Sequence, residues 1–229
     1  DDGLVVNAAK YIGAQPVISV NPDEKRNDGV LSCCSTATFP KKLKNTVEGN
    51  ASIETLTMAE AKLDDGQILY ALNDFFIGKN THTSARYHIA YAGKKEYQSS
   101  DGILISTGTG STGWLTSILT GVYAIAKSIE IDKSIDSGQS DSNSESKQFS
   151  FPRTAEYLQF AVMNPFPSKI TQTNIVQGEV YANTPLIITS QMPEQGVIFS
   201  DGIESDYLEF TSGKTVIITP AEKKVQLVR

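Results

Sequence analysis

The spacing of hydrophobic and polar positions changes along this 229-residue chain. Near the start, five apolar residues recur at the spacing of one helical face: Leu4, Val5, Ala8, Ala9 and Ile12. This periodicity predicts an amphipathic helix over residues 4–12. The segment "QPVISVNPD" at residues 15–23 predicts a short strand, because turn-forming residues bound its apolar centre. A helix followed by a turn and a strand is typical of a βαβ unit, which indicates a parallel sheet.

From about residue 50 to residue 105 the pattern changes to a period of two, with short apolar runs. Segments 51–63, 68–78 and 85–93 show it, and turn residues such as Asp65-Gly66 separate them. This pattern predicts a hairpin-rich β region. After Trp114, apolar residues recur at i, i+3, i+4 and i+7, which predicts one helix of about three to four turns. Strand-like segments return between residues 157 and 219.

These patterns together predict a mixed fold, α/β plus all-β. We assign residues 1–38 to the remainder of an N-terminal α/β domain that residues 214–229 rejoin, and residues 39–213 to a β-rich domain. The first residues read as the end of a strand that enters a helix, so we expect a further part of the α/β domain upstream of Asp1. Residues 132–147 are rich in Ser and Asp, which predicts a mobile insertion.

The composition narrows the choice of partners. A formal net charge of −6 and a pI near 5.0 make nucleic acid a poor partner. An anionic small ligand can still bind where backbone amides and one or two cations surround it. No apolar run approaches the roughly 18 residues that cross a bilayer, so we expect no membrane partner. We expect a cytoplasmic protein, with the mitochondrial matrix as the second compartment to consider.

Two polar turns near the beginning and middle of the chain are candidates for ligand chemistry. Asp2-Gly3 lies at a strand-to-helix turn, where open α/β sheets place ligands and where a helix N-terminus attracts phosphate. An Asp that caps its own helix, worth about 1 kcal/mol, explains the same residues. Asn73-Asp74 interrupts an apolar run, and an amide beside a carboxylate can bind the cis-diol of a ribose. A β-bulge or a strand-end turn is the alternative there.

Two further polar turns follow later in the chain. In "ILISTGTGSTGW", residues 103–114, hydroxyl-bearing residues alternate with Gly108, Gly110 and Gly113. The segment is not a Walker A motif, and it lacks the βαβ context of a dinucleotide-binding GxGxxG. It is either a binding loop that uses hydroxyls and backbone amides or a flexible hairpin. Asp101-Gly102 precedes it, and Asp201-Gly202 repeats the device, which alone indicates a turn.

Taken together, the four pieces resemble the NAD kinase family. That family carries a GGDG turn, an ALNE strand, a DG…STPTGSTAY segment and a late DG turn, in this order. The present chain has DDG at 1–3, ALND at 71–74, SDGILISTGTGSTGW at 100–114 and SDG at 200–202. The match covers nearly the whole chain, and its variants are more similar to the branch that includes mitochondrial-type NAD kinases. The resemblance implies a partial, Rossmann-like nucleotide domain joined to a β-sandwich-like NAD-binding domain.

The resemblance also implies an activity and its partners. NAD kinases transfer a phosphoryl group from ATP to the 2′-hydroxyl of the adenosine ribose of NAD(H), which gives NADP(H). The expected ligands are therefore NAD and ATP, the latter with Mg²⁺ or another divalent cation, and the expected assembly is a homodimer or homotetramer. No separate metal site in the protein is expected.

Residue roles carry over position by position. Asp2 matches the aspartate of the GGDG turn, the general base for the 2′-hydroxyl, and Gly3 lies where the phosphates of ATP approach. Asn73 and Asp74 match the residues that bind the ribose hydroxyls. Residues matched to the binding of the nicotinamide and adenine ends, some across a subunit boundary, are Asp101, Thr109, Thr112, Gly113 and Trp114. Asp201 matches the late DG turn.

Three departures from the family pattern stand out. Asp74 replaces Glu, which shortens the side chain by one methylene, about 1.5 Å. Trp114 replaces Tyr and Gly113 replaces Ala, so the base pocket has another shape. The glycines of the GGDG turn do not precede Asp2.

Two other functions fit parts of the pattern. One is a non-catalytic NAD(P)-binding regulatory module that retains the Asn73 and Thr109 pocket without ATP turnover. The other is a lipid kinase of the related fold, which shares the GGDG turn. The combination of ALND with TGTGST argues against the lipid kinase, because a lipid substrate needs no ribose clamp.

Overall fold

The computed structural model describes residues 2–26, 29–137 and 149–229. In these ranges the helices are α1 (Asp2–Ala9), α2 (Phe39–Val47) and α3 (Trp114–Ser137), and a short 3₁₀ turn covers Gly110–Thr112. The strands of the first half are β1 (Pro16–Val17), β2 (Val20–Asn21), β3 (Cys34–Ser35), β4 (Ile53–Leu63), β5 (Ile68–Ala71), β6 (Asp74–Lys79), β7 (Ala85–Tyr91), β8 (Lys94–Ser100) and β9 (Gly102–Ser106). Those of the second half are β10 (Leu158–Met163), β11 (Gln177–Val180), β12 (Leu186–Ser190), β13 (Gly196–Ser200), β14 (Ile203–Glu209) and β15 (Thr215–Val228).

Two mainly antiparallel sheets pack face to face. The first has the order β5-β4-β15-β12-β7-β8, with β1 added to β15, and the second has the order β11-β10-β9-β6-β13-β14. Their facing side chains form one apolar core that includes Phe75, Tyr87 and Phe160. The period-two pattern of the sequence therefore buries one face of each strand between the sheets, as in a β-sandwich. The prediction of a mixed α/β and all-β fold is confirmed.

Strand β9 is buried on both faces, which fixes the segment that follows it. Ile103 and Ile105 belong to the core between the sheets, whereas Leu104 packs on the other side against Leu115 of α3. A strand covered on both faces reads as a continuous apolar run, which is how residues 103–105 appear in the sequence. The polar loop 106–113 is thus held between a buried strand and a packed helix.

Helix α1 packs on an extension of the first sheet. Strands β4 and β15 pair over most of their length, with an irregularity between Pro220 and Lys224. Beyond it their side chains join Val6 and Ala9 of α1 in a second apolar cluster. There β1 pairs in parallel with residues 226 and 227, and β2 pairs in parallel with β3. The parallel pairing that the sequence predicted is therefore present in two short strand pairs, β1 with β15 and β2 with β3. The domain boundary between residues 38 and 39 stays a prediction.

Several elements differ from the sequence prediction. The helix expected over 4–12 is Asp2–Ala9, and the expected strand at 15–23 divides into β1 and β2. Helix α3 continues to Ser137, so residues 132–137 of the expected insertion are helical. Residues 138–147 of that insertion lie outside the described residues. Helix α2 was not predicted; it has nine residues, and none of them is buried.

The glycines of the loop after β9 allow contacts between backbone segments. A Cβ atom added at Gly110 would lie 2.3 Å from Asn73 O, and one added at Gly108 would lie 2.0 Å from Pro152 O. Thr107 reinforces the first contact, since its Oγ1 donates to Leu72 O (2.5 Å) and its N–H donates to Asn73 O (2.9 Å). Two of the three glycines are therefore explained by the chain's own packing.

We predict that Gly110→Ala destabilises the fold. The new methyl group would meet backbone atoms of Asn73, which cannot move aside as the end of a flexible side chain can. We expect the clash to cost about 1–3 kcal/mol or more. Gly121 in α3 is the matched control, because a Cβ there meets nothing within 4 Å and Ala in a helix gains up to about 1 kcal/mol over Gly. Urea unfolding of both variants measures the difference. Equal stabilities of the two variants would contradict the close contact.

Candidate functional site

The polar turns converge on one cavity of about 480 Å³. Nine of the ten site residues that the sequence predicts line it: Asp2, Gly3, Asn73, Asp74, Thr109, Thr112, Gly113, Trp114 and Asp201. They come from the start of α1, the turn between β5 and β6, the loop after β9 and the turn between β13 and β14. Four segments that are far apart in the sequence, near residues 2, 73, 110 and 201, therefore form one site.

Asp101 is the tenth predicted residue, and the structure does not bring it to this cavity. It lies before β9, whereas the cavity loop follows the other end of that strand. Five strand residues at about 3.3 Å each separate the two ends. The Asp101 carboxylate instead accepts a hydrogen bond from Asn164 Nδ2 (2.7 Å). A binding role across a subunit boundary stays a prediction.

Asp201 is an internal anchor of the site. Its side chain is 0% exposed, and its carboxylate accepts hydrogen bonds from the backbone N–H groups of Leu72 (3.2 Å), Asn73 (2.7 Å) and Asp74 (3.3 Å). The residue adopts a φ of 57°, which Asp tolerates better than most residues. Asp201 was predicted to bind the ligand, but its oxygens are occupied by this turn, so it shapes the cavity wall from behind.

The Asn73-Asp74 pair lies at a strand-end turn. The apolar run 68–78 divides there into β5 and β6, with residues 72 and 73 in a bend. The turn alternative therefore describes the local structure, yet both residues line the cavity. Burial and the negative charge of Asp201 raise the pKa of Asp74 to about 7. A carboxyl group that titrates near neutral pH inside a cleft is typical of functional sites.

Asp2 fixes a neighbouring loop. Its two carboxylate oxygens accept hydrogen bonds from the N–H groups of Val30 (2.9 Å) and Leu31 (3.1 Å). These contacts orient the carboxylate at the cavity wall, and each oxygen retains a second lone pair for a ligand. The capping interpretation predicted bonds to the helix that Asp2 begins, whereas the observed partners lie 28 and 29 residues away.

The loop after β9 supplies a hydroxyl that lacks a partner. Among the described residues, Thr109 Oγ1 is buried without a hydrogen bond, and Thr109 lines the cavity. An unpaired buried polar group costs about 1–3 kcal/mol, which a ligand that bonds to it would recover. This orphan group indicates that the cavity is shaped for a polar ligand.

A second cavity of about 430 Å³ adjoins the first. The two share Asp74, Trp114 and Gly202 as lining residues. Trp114 stacks on Phe76, with ring centroids 5.7 Å apart and an interplanar angle of 15°, and its side chain remains 43% exposed. Two adjoining cavities with an aromatic side chain at their boundary suit a ligand that contains planar rings.

Two cations of the site were missed by sequence analysis. Arg153 is the sole Lys or Arg among the described residues that line the first cavity, and its Nη1 donates to Val30 O (3.2 Å). Lys10 is 8% exposed, and its Nζ lies 2.7 Å from Asp206 Oδ2 and 3.5 Å from Asp201 Oδ2. Lys10 directly follows Ala9, the last residue of α1, and no motif marked it as buried. Nothing in the sequence distinguished Arg153.

Solved structures share this fold. The chain matches the crystal structure of yeast NADH kinase complexed with NADH with a TM-score of 0.70, at 15% identity, over 99% of this chain and 59% of that chain. It matches an NAD kinase from Archaeoglobus fulgidus in complex with ATP with a TM-score of 0.63, at 16% identity, over 100% of this chain and 74% of that chain. The fold is therefore that of NAD(H) kinase structures.

Sequence comparison gives the more particular likeness. The chain is 31% identical over 116 residues to the NAD kinase of Chlorobaculum tepidum, which covers 49% of this chain and 40% of that protein. It is 28% identical over 120 residues to the NAD kinase of Clostridium tetani, which covers 49% and 43%. The chain thus spans less than half the length of these curated relatives, and no protein-family model matches it. The resemblance to NAD kinases that the motifs indicated is confirmed.

We predict that Asp74→Asn stabilises the protein at alkaline pH. The pKa of Asp74 is about 7 in the folded protein, against 3.8 for an ordinary aspartate, so folding favours the protonated form. As the pH rises from about 4 to 7, the Asp74 carboxyl ionises in the unfolded chain but stays mostly protonated in the folded protein, so stability falls relative to the Asn variant. The difference should reach on the order of 3 kcal/mol at pH 8 and vanish near pH 4.

Thermal unfolding at pH 4.5 and pH 8 measures this difference. Asp64→Asn is the control, because Asp64 is exposed and lies outside both cavities. A stability gain of Asp74→Asn that does not depend on pH would contradict the raised pKa.

Proposed function

We propose that this protein is an NAD kinase, which transfers the γ-phosphoryl group of ATP to the 2′-hydroxyl of the adenosine ribose of NAD(H). The convergence of Asp2, the Asn73-Asp74 turn and the loop at Thr109 on one cavity carries this proposal. The shared fold and the two sequence relatives named NAD kinase support it. The carboxylates that line the described cavity and its orphan hydroxyl favour a polar ligand over a lipid.

The geometry suggests a division of labour among the lining residues. Asn73 and Asp74 bind the ribose hydroxyls, and Thr109 Oγ1 supplies a further hydrogen bond to the nucleoside. Asp2 accepts the proton of the 2′-hydroxyl while that oxygen forms a bond to the γ-phosphorus, and ADP departs with the electrons of the broken P–O bond. Phosphoryl transfer needs mainly alignment and charge neutralisation. The amide contacts that hold Asp2 therefore contribute by fixing its direction.

The aromatic surface and the cation have separate roles in this proposal. Trp114, stacked on Phe76, provides a planar face for a base or nicotinamide ring at the passage between the two cavities. Arg153 binds a phosphate of the dinucleotide, because a guanidinium can donate two hydrogen bonds to phosphate oxygens. Its bond to Val30 O positions it beside the loop that Asp2 also holds.

Mg²⁺ would enter with ATP. The described residues contain no group of three or more His, Cys, Asp or Glu side chains that could hold a metal ion. Mg²⁺ usually binds through one or two carboxylates together with substrate phosphates, so the present residues fit that mode, with Asp2 as the protein carboxylate. When bound, the ion would neutralise negative charge on the transferred phosphoryl group.

Assembly and location belong to the same proposal. The position of Asp101 away from the cavity of its own chain favours a homodimer or homotetramer in which Asp101 meets the ligand of a neighbour. No helix within the described residues has the length and apolarity needed to cross a lipid bilayer. We propose a cytoplasmic or mitochondrial-matrix enzyme.

We predict that Asp2→Asn lowers NADP formation by about 10²–10⁴-fold, the usual contribution of a positioned general base. Affinity for NAD should stay within a few-fold, because Asn keeps one acceptor oxygen for the loop at Val30. Asp64→Asn is the matched control, since Asp64 also accepts a backbone N–H, that of Thr215 (3.1 Å), away from the cavity. A coupled assay on the full-length protein measures the rate of NADP formation, with ATP or with polyphosphate as the phosphoryl donor.

The same assay separates the alternatives. Unchanged turnover in Asp2→Asn would remove Asp2 from the mechanism. Tight NAD binding by the wild type without NADP formation from either donor would support the regulatory module, and phosphorylation of a sphingoid base in place of NAD would support the lipid kinase.

We predict that Arg153→Gln raises the KM for NAD about tenfold and weakens the salt dependence of NAD binding. The reason is that a charge-assisted bond to phosphate is worth about 1.5–3 kcal/mol and is screened by salt. Arg153→Lys keeps the charge and should lose less affinity. A KM that does not change in Arg153→Gln would place the phosphates elsewhere.

A further inference from the structure

The ammonium group of Lys10 lies in a polar network behind the candidate site. Its Nζ donates to Ser200 Oγ (2.6 Å) and to Asp206 Oδ2 (2.7 Å). It also lies 3.5 Å from Asp201 Oδ2. The Lys10 side chain is 4% exposed and the Asp201 side chain 0%, so water screens this charge pair very little. Lys10 is absent from the residues that line either cavity.

Asp201 connects this network to the substrate side. Its two carboxylate oxygens accept the backbone N–H groups of residues 72–74, and the side chains of Asn73 and Asp74 line the cavity. A buried carboxylate keeps such hydrogen bonds in place when an opposite charge lies close to it. The described network offers Lys10 as that charge.

We infer that Lys10 is a positioning residue of the proposed NAD kinase: acting through Asp201, it fixes the turn that presents Asn73 and Asp74 to the ribose. This inference rests on the proposed function, because it assigns a task to the same site. Lys10 does not line either cavity, so we expect no direct contact between Lys10 and the substrate. Its effect passes through one carboxylate and three backbone amides.

Helix α1 gives this arrangement a second consequence. The helix begins at Asp2, the proposed base, and Lys10 follows its last residue, Ala9. Eight helical residues span about 12 Å with little compliance. Asp2, the proposed base, and Lys10, the cation beside the turn at residues 72–74, are therefore held at a nearly constant separation.

A purely structural role of Lys10 makes a different prediction, and Lys223 provides the comparison. Lys223 Nζ donates to Lys10 O (2.5 Å), so Lys223→Met removes a contact that holds the same end of α1 without removing the charge beside Asp201. Both variants should lower the Tm. Loss of the Lys10 charge should in addition change substrate binding.

The experiment compares Lys10→Met, Lys10→Gln, Lys10→Arg and Lys223→Met. We expect Lys10→Met and Lys10→Gln to raise the KM for NAD at least tenfold while the KM for ATP changes less than threefold. Lys10→Arg should restore most of the NAD affinity, and Lys223→Met should leave both KM values within twofold. Because Trp114 is the sole tryptophan and lines the cavity, quenching of its fluorescence gives NAD affinity without turnover.

Hydrogen exchange separates this inference from the proposed function. In Lys10→Gln the amides of residues 72–74 should exchange at least tenfold faster than in Lys223→Met, whether or not the protein phosphorylates NAD. If Lys10→Met does not fold, Lys10→Gln supplies the same readouts. A lower Tm in the folded Lys10 variants, with unchanged NAD affinity and unchanged exchange at residues 72–74, would overturn the inference. A wild type that neither binds NAD nor forms NADP would refute the function and leave the exchange test standing.

Discussion

The turn at residues 72–74 has its shape because separate segments of the chain hold its backbone from several sides. Thr107 binds the carbonyl groups of Leu72 and Asn73, and Asp201 accepts the N–H groups of all three residues. Such a turn has few hydrogen bonds of its own, and each unsatisfied buried group would cost about 1–3 kcal/mol. The same contacts that make the turn stable also bring the loop after β9 and the turn after β13 to one cavity. The hydrogen bonds that fold the turn at residues 72–74 are thus the ones that join the segments of the site.

The charge distribution explains how an acidic cavity can receive a ligand that carries phosphates. Among the described residues, Asp2, Asp74 and Asp201 line the first cavity together with one cationic side chain, that of Arg153. Asp201, however, is occupied by amides and lies near Lys10. The raised pKa of Asp74 leaves that carboxyl partly protonated at neutral pH. The negative charge that faces a phosphate is therefore smaller than the formal count, and the charge at Asp74 depends on pH.

The sequence predicted the convergence of the site better than the roles of its members. Motif order placed nine residues around one cavity, because the family resemblance supplied the long-range contacts that periodicity alone does not give. It did not indicate that the Asp201 carboxylate accepts hydrogen bonds from backbone amides, since hydrogen-bond partners 127–129 residues apart leave no local signal. For Asp101 the motif was recognised, but the position of the residue was not predicted. Asp101 lies at the end of β9 away from the cavity, which depends on the length of the strand and on the sheet topology.

The elements that escaped prediction have physical reasons of the same kind. Helix α2 has only nine residues and buries none of them, so the recurrence of Phe39, Leu43 and Val47 at helical spacing is short and easily overlooked. Gly108 and Gly110 suggested a flexible or ligand-binding loop. The loop does line the cavity, and the missing side chains of these two glycines also admit Pro152 and Asn73. Such a contact depends on two distant backbones and leaves only the glycine itself in the sequence.

The position of α1 makes the N-terminal segment part of the site. This helix packs on the extension of β4 and β15, and its first residue, Asp2, binds the loop at Val30 and Leu31. Lys10, beyond its last residue, reaches the turn that follows β13. One short helix therefore joins the parallel pairings of the N-terminal segment to the sandwich that carries the remaining site residues. A displacement of α1 would move Asp2 and loosen the turn at residues 72–74 together, so the chemistry of the cavity depends on how firmly this helix is packed.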